Sequence, residues 1–331
     1  MSEENRCHHC DQLLPVDAVY CPSCGFKIQD WIKAQSEREE VVQQTSLVGE
    51  TVNAFMALIR KTPVNVPPSS AVFLERQPRS MLRYAVGAVF LLLAGLGISY
   101  GGEWLTYIGL TISGYAVPLI VLAYIVRSDV YEREPLAVVA YCFGWGAFSG
   151  ILAGILNSVI TETFLGVGGA GFIEEPLKIY GVYQIAKSAR MRNEFNDHLD
   201  GIIYGAAAGA GFAGLENFWY ISDMVLNNAY PALFAIFIRS ITGVMHISWS
   251  AIAGRSLGIA KAKKGTIHGS DMLPGVLVAA FIHYLWNTLS GDLSMFLILP
   301  FTLGGLRNMI KAAVEDEKRW GFEFFAPDEK E

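Results

Sequence analysis

Hydrophobic and polar positions alternate in three different ways along this chain. The first 75 residues are mostly polar. Within them, Val41, Val48, Val52, Phe55 and Ile59 recur at helical steps and predict an amphipathic helix over 37–61 with one apolar stripe. Such a stripe suits a helix that docks on a partner or lies on a membrane surface. The segment PVNVPPSS at 63–70 ends that pattern and reads as a linker. From Leu82 the chain becomes a series of eight apolar stretches, at 82–100, 104–126, 136–162, 167–186, 201–222, 232–258, 272–290 and 293–311. Most reach the ~20 residues that a spanning helix needs. The fourth carries charges and the eighth contains Pro300. The expected fold is an all-α polytopic membrane protein, a bundle of about eight transmembrane helices.

The loops test that count. Arg76, Arg79 and Arg83 precede the first span, and Arg127 and Arg133 separate the second from the third. Lys187, Arg190 and Arg192 follow the fourth, and Arg255, Lys261, Lys263 and Lys264 follow the sixth. The alternate loops, near Glu103, Glu162, Asp223 and Asp292, hold no Lys or Arg. The positive-inside rule then places both termini in the cytoplasm. Composition agrees: 52% of the 331 residues are hydrophobic and 17% charged, where a soluble domain carries about a quarter charged residues. A net charge of -6 excludes the basic surface that nucleic acid requires.

Four of the five cysteines, Cys7, Cys10, Cys21 and Cys24, form two C-x-x-C knuckles ten residues apart. Four thiolates so placed suit one tetrahedral structural zinc; a disulfide pair or redox motif is the alternative. The stretch RCHHCDQLLPVDAVYCPSCGFKI resembles the short zinc-ribbon family. Its expected cytoplasmic location keeps the thiols reduced and offers a site for a cytoplasmic protein partner. The expected organisation is a ribbon over 1–29, an amphipathic helix and Pro-rich linker over 30–81, a membrane domain over 82–312 and a cytoplasmic tail over 313–331.

Ionisable residues inside spans each cost about 2.5–3.5 kcal/mol on insertion scales for a charge at a helix centre. Here Glu174, Glu175 and Lys178 fall in the fourth stretch, Glu216 in the fifth, Arg239 and His246 in the sixth and His283 in the seventh. Glu174 and Lys178 share a helix face, as do His283 and Asn287, and Arg239 and His246. Glu174 lies about seven residues, or roughly 10 Å, from the outer end of its stretch, and Glu216 and His283 lie at comparable depths. A shared polar site facing the bundle interior follows. The small-residue run GAAAGAGFAG at 205–214 predicts backbone-close helix packing; no Lys-Ser/Thr pair follows it, so it is not a phosphate loop.

The segments EEPLK at 174–178, GFAGLEN at 211–217, HISWSAIAG from His246 and HYLWN at 283–287 resemble the PrsW family of intramembrane proteases, which is related to the CAAX prenyl-proteases. The segment DVYEREP at 129–135 and LDG at 199–201 extend the resemblance, which covers 82–312. CAAX prenyl-proteases usually carry His where this chain has Glu216, which favours the PrsW side. The resemblance implies a bacterial plasma-membrane hydrolase that cleaves a membrane-anchored protein substrate, with first-site cleavage of an anti-sigma factor as the implied role.

Peptide hydrolysis needs an activated water and a stabilised oxyanion. Glu174 is the expected general base, with His283 and Asn287 as oxyanion donors and His246 and Glu216 completing the site. Glu175 points about 100° away on a helix and is expected to pair with Lys178 or Arg239. Two versions stay open. In one Glu174 alone activates water; in the other Glu174, Glu216, His246 and His283 hold a catalytic zinc. The absence of a compact metalloprotease motif slightly favours the first. The rival classes are a transporter or ion pathway built on the same carboxylates, and a non-catalytic scaffold recruiting proteins through the ribbon.

Overall fold

Helix boundaries follow the local chemistry of the chain. The computed structural model describes residues 46–61, 80–130, 134–188, 195–264 and 266–318. The expected ribbon with Cys7, Cys10, Cys21 and Cys24, the linker at 63–70 and the end of the tail lie outside the described residues.

Helix α1 (Leu47–Ile59) is capped by Ser46, whose Oγ accepts from the Gly49 amide at 3.2 Å. Its packing face differs from the expected stripe. Val48, Val52 and Ile59 are 72%, 53% and 54% exposed, whereas Ala54, Ala57 and Leu58 are buried. The contact is with the chain's own last helix, through Phe55 against Phe301 (ring centroids 5.9 Å apart) and Leu58 against Gly305. Close approach of two helices selects alanine and glycine at the contact, and the branched side chains face outward.

Helices α2 (Met81–Ser99) and α3 (Glu103–Ser128) form a hairpin. Its turn passes through Gly102 at φ 117°, a conformation glycine adopts without steric cost. Only Gly95 of α2 is buried, against Gly109 and Ser113 of α3; the rest of α2 is an apolar flank. Helix α4 (Leu136–Leu156) widens into a π-helical segment, Asn157–Leu165. A short 3₁₀ turn then leads into α5 (Ala170–Lys187).

Helix α6 (His198–Leu226) is the centre of the bundle. Asp197 and Asp200 form a reciprocal capping box at its start. Every residue from His198 to Gly214 is buried. Helix α7 (Ala232–Lys264) lies along it, with Gly201, Gly205 and Gly209 against the backbone of Gly254, Ser250 and His246. A Cβ at Gly254 would collide with the Gly201 carbonyl. The small-residue run thus brings two long helices into backbone contact, as its composition predicts. Helix α8 (Leu273–Thr288) and, after a π-helical turn, α9 (Leu299–Lys318) close the ring.

All eight expected stretches are helical, and among the described residues five helical segments are long and apolar enough to cross a membrane by length and composition: Met81–Ser99, Glu103–Ser128, Leu136–Thr161, Ala232–Lys264 and Gly291–Asp316. Helix α5 carries Glu174, Glu175, Lys178 and Lys187, α6 is glycine-rich and carries Glu216, and α8 has 16 residues. At 1.5 Å per residue, α8 is about 24 Å long, short of the ~30 Å hydrocarbon core. These three supply most of the site. The chain is an all-α integral membrane protein.

Candidate active site

Two glutamates open the site. Glu174 and Glu175 sit in the second turn of α5, and the helix directs them to different partners. Glu174 faces a cleft of about 560 Å³ that is also lined by Asn157, Glu216, Arg239, His246, His283 and Asn287. Its Oε1 accepts from Asn157 Nδ2 at 3.0 Å, and Thr161 Oγ1 donates to Asn157 Oδ1 at 2.8 Å. Its Oε2 is buried without a hydrogen-bond partner. Lys178 Nζ lies 3.5 Å from it, and the Nδ1 atoms of His246 and His283 each lie 3.9 Å from it. Asn157 stands where α4 becomes π-helical, a local widening that re-aims side chains at functional sites.

Glu175 is fully buried behind the cleft. Its Oε1 accepts from Lys178 Nζ at 2.7 Å and from His283 Nδ1 at 3.0 Å. Of the two cations expected to pair with it, Lys178 does; Arg239 does not. Arg239 instead donates from NH2 to Glu216 Oε2 at 2.6 Å and from Nε to Asn217 Oδ1 at 3.1 Å. Its guanidinium also lies over Tyr220, 4.4 Å from the ring centroid. Asn217 is anchored in turn by donating to the Gly114 carbonyl at 3.2 Å.

The hydrogen bonds fix the histidine tautomers. Lys178 Nζ can only donate, and it lies 2.8 Å from His246 Nδ1, so Nδ1 accepts. His246 Nε2 therefore carries the proton and donates to Glu216 Oε2 at 2.8 Å. Glu216 is thus an orienting carboxylate behind the imidazole. His283 donates its Nδ1 proton to Glu175, and its ring stacks on Trp249 at 4.1 Å between centroids. In the neutral ring the remaining lone pair is on Nε2, which cannot donate to an oxyanion; the other tautomer is the one that offers Nδ1, the atom facing Glu174 and Glu175, to an ion.

Glu174, Glu175, His246 and His283 each bring a donor atom within 4.8 Å of the others. Two carboxylates and two imidazoles are a donor set that zinc-type ions accept. The orphaned, buried Glu174 Oε2 is the observation that fits an ion. The cluster differs from the expected ligand set in holding Glu175, while Glu216 lines the same cleft. The change has a physical cause: Glu216 is held by Arg239, and the His283 imidazole on α8 reaches both members of the Glu174–Glu175 pair. Asn157, Thr161, Trp249 and Ser250 escaped the sequence reading; Ser250 Oγ donates to Glu175 Oε2 at 3.5 Å. The i,i+4 pair of Asn157 and Thr161, and of His246 and Ser250, was the available signal.

The site stands nearer one end of the bundle. Glu174 is four residues from the start of α5 and His283 five from the end of α8, about 6 and 7.5 Å. Glu216 is ten residues from the end of α6, about 15 Å. The cleft extends past Ser158, Thr161, Trp219 and Asp223 to that same end.

Comparison with known proteins gives the chain's family. A family model described as PrsW family intramembrane metalloprotease matches residues 134–307, the stretch that holds every residue lining the cleft. "Protease PrsW" of Geobacillus kaustophilus (strain HTA426) is 30% identical over 220 residues, which covers 63% of this chain and 81% of that protein. "Protease PrsW" of Bacillus subtilis (strain 168) is 28% identical over 214 residues, covering 60% and 94%. No solved structure matches the chain. With the family model matching more than half its length, this chain belongs to the PrsW family of intramembrane proteases.

Proposed function

We propose that this protease hydrolyses a peptide bond of a membrane-anchored protein in the cleft between α4 and α8, with Glu174 as general base. Glu174, which lines the cleft and whose buried Oε2 has no hydrogen-bond partner, carries this reading. Glu174 takes a proton from the attacking water and returns it to the leaving amine as the bond breaks. Asn157 holds its other oxygen. Asn287, whose amide lines the cleft, is the oxyanion donor; the sequence-based assignment of His283 to that role gives way to the tautomer argument above. Glu216 fixes the His246 ring, and Arg239 fixes Glu216.

Zinc is the metal we assign to the cluster; Glu175, His246 and His283 would hold it, with Glu174 beside it as the base, and it would supply Lewis-acid polarisation of the carbonyl. The family's description as metalloproteases supports the metal version over the metal-free one. A second zinc belongs to Cys7, Cys10, Cys21 and Cys24, whose ribbon is free to recruit a cytoplasmic protein partner.

With both termini cytoplasmic, the end of the bundle reached by the cleft is extracytoplasmic. Water then reaches Glu174 from outside the cell, and the substrate is cut at its extracytoplasmic interface. A membrane-bound regulator such as an anti-sigma factor fits that chemistry. Mass spectrometry of the fragments tests it. The expected fragment ends lie at the extracytoplasmic side of the substrate's membrane segment; ends on the cytoplasmic side contradict it.

A further inference from the structure

The ammonium of Lys178 stands where the candidate metal ligands converge. Nζ lies 2.7 Å from Glu175 Oε1, 2.8 Å from His246 Nδ1 and 3.5 Å from Glu174 Oε2. Those atoms belong to three of the four residues whose donors approach one another within 4.8 Å. The Lys178 side chain is fully buried. Its bond to His246 uses the Nδ1 lone pair, because Nε2–H is committed to Glu216, and that lone pair is the one His246 offers to an ion.

A zinc-type ion takes its imidazole and carboxylate donors at about 2.0–2.2 Å. An ion bonded to both His246 Nδ1 and Glu175 Oε1 would therefore lie against the ammonium. Two cations in contact inside a low-dielectric bundle exclude one another. We propose that the Lys178 ammonium and a divalent metal ion occupy this cluster in alternation. Lys178 is a positioning residue that holds Glu174, Glu175 and His246 in place until the ion displaces it. The seated ammonium also lies over the Phe212 ring, 4.0 Å from its centroid, where a cation is attracted to the π face. The proposal rests on the metal reading of the site and deepens it.

Cobalt titration of the purified full-length protein in detergent tests the exchange. Cobalt bound by cysteine thiolates gives intense charge-transfer absorption. Cobalt bound by carboxylates and imidazoles gives weaker visible bands without it, so the ribbon and the cluster are read separately. Lys178→Met, which keeps the apolar stem and removes the charge, should bind cobalt at the cluster ten-fold or more tightly than the wild type. Lys178→Arg, which keeps the cation, should bind it no more tightly than the wild type. Adding Glu175→Gln to Lys178→Met should remove the gain. Equal affinity in wild type and Lys178→Met, or no cluster bands in either, overturns the proposal. Should Lys178→Met fail to fold, Lys178→Gln, which removes the charge and keeps a polar side chain, decides. It should bind cobalt more tightly than the wild type, and equal affinity overturns displacement. Cleavage of a membrane-anchored substrate is measured on the same preparations. A chain that cleaves but binds cobalt regardless of Lys178 refutes the exchange alone, whereas a chain that cleaves nothing refutes the assigned reaction.

Discussion

Replacing Glu216 by Gln separates the two roles a carboxylate can play at this site. Glu216 Oε2 accepts from Arg239 at 2.6 Å and from His246 at 2.8 Å. Gln keeps the shape and one accepting oxygen but removes the charge. Two charge-assisted bonds are weakened, each worth about 1.5–3 kcal/mol when a charged group is involved. Arg239 keeps Asn217 and the face of Tyr220, so the net loss of stability should be about 2 kcal/mol, below the 3–5 kcal/mol of a buried pair stripped of one partner. His246 loses its orienting carboxylate, a change that typically costs about 10–100-fold in activity or metal affinity. Loss of the base itself costs about 10²–10⁴-fold. The assay is initial cleavage rate in proteoliposomes, with thermal unfolding of the same samples. Glu216→Gln should therefore retain measurable turnover where Glu174→Gln does not. Equal loss in both variants refutes the orienting role and returns Glu216 to the reacting atoms.

Asn157→Ala should lower kcat about ten-fold with KM nearly unchanged, because it frees the Glu174 carboxylate without touching the cleft's other walls; steady-state kinetics check this, and an unchanged kcat removes Asn157 from the site. Gly254→Ala should force α6 and α7 apart by about 1 Å and cost about 1–3 kcal/mol, read as a lowered Tm; an unaltered Tm contradicts the backbone contact. A peptide of residues 1–30 should take up one cobalt with tetrahedral thiolate absorption, and freely titrating thiols in its place would show that no ribbon forms.

Much of this architecture was legible in the sequence because membrane burial imposes strict patterns. Apolar stretches located the helices to within a few residues, and charges in those stretches marked the site, since a bilayer tolerates them only when they face one another. Glu174, Lys178, His246 and His283 converge as the spacing predicted. Partner choice was not legible. That Arg239 pairs with Glu216 depends on the rotation of α7 against α6, which the glycines of both helices set; the Lys178–Glu175 pair is an i,i+3 contact within α5. The stripe on α1, expected to face a partner or a membrane surface, leaves Val48, Val52 and Ile59 exposed. The contact with the last helix uses another face, through Leu58 against Gly305 with Ala54 and Ala57 buried beside it. Asn157 was hidden because a polar residue near the end of an apolar stretch reads as the edge of a span.

The central claim is that Glu174 performs the hydrolysis. The direct measurement is cleavage of a single-pass membrane protein by the purified chain in proteoliposomes, comparing wild type with Glu174→Gln at equal insertion and equal helix content. The wild type should release two fragments, and Glu174→Gln should lower the rate by about 10²–10⁴-fold while still co-purifying with the uncut substrate. Cleavage by Glu174→Gln at the wild-type rate would contradict the account.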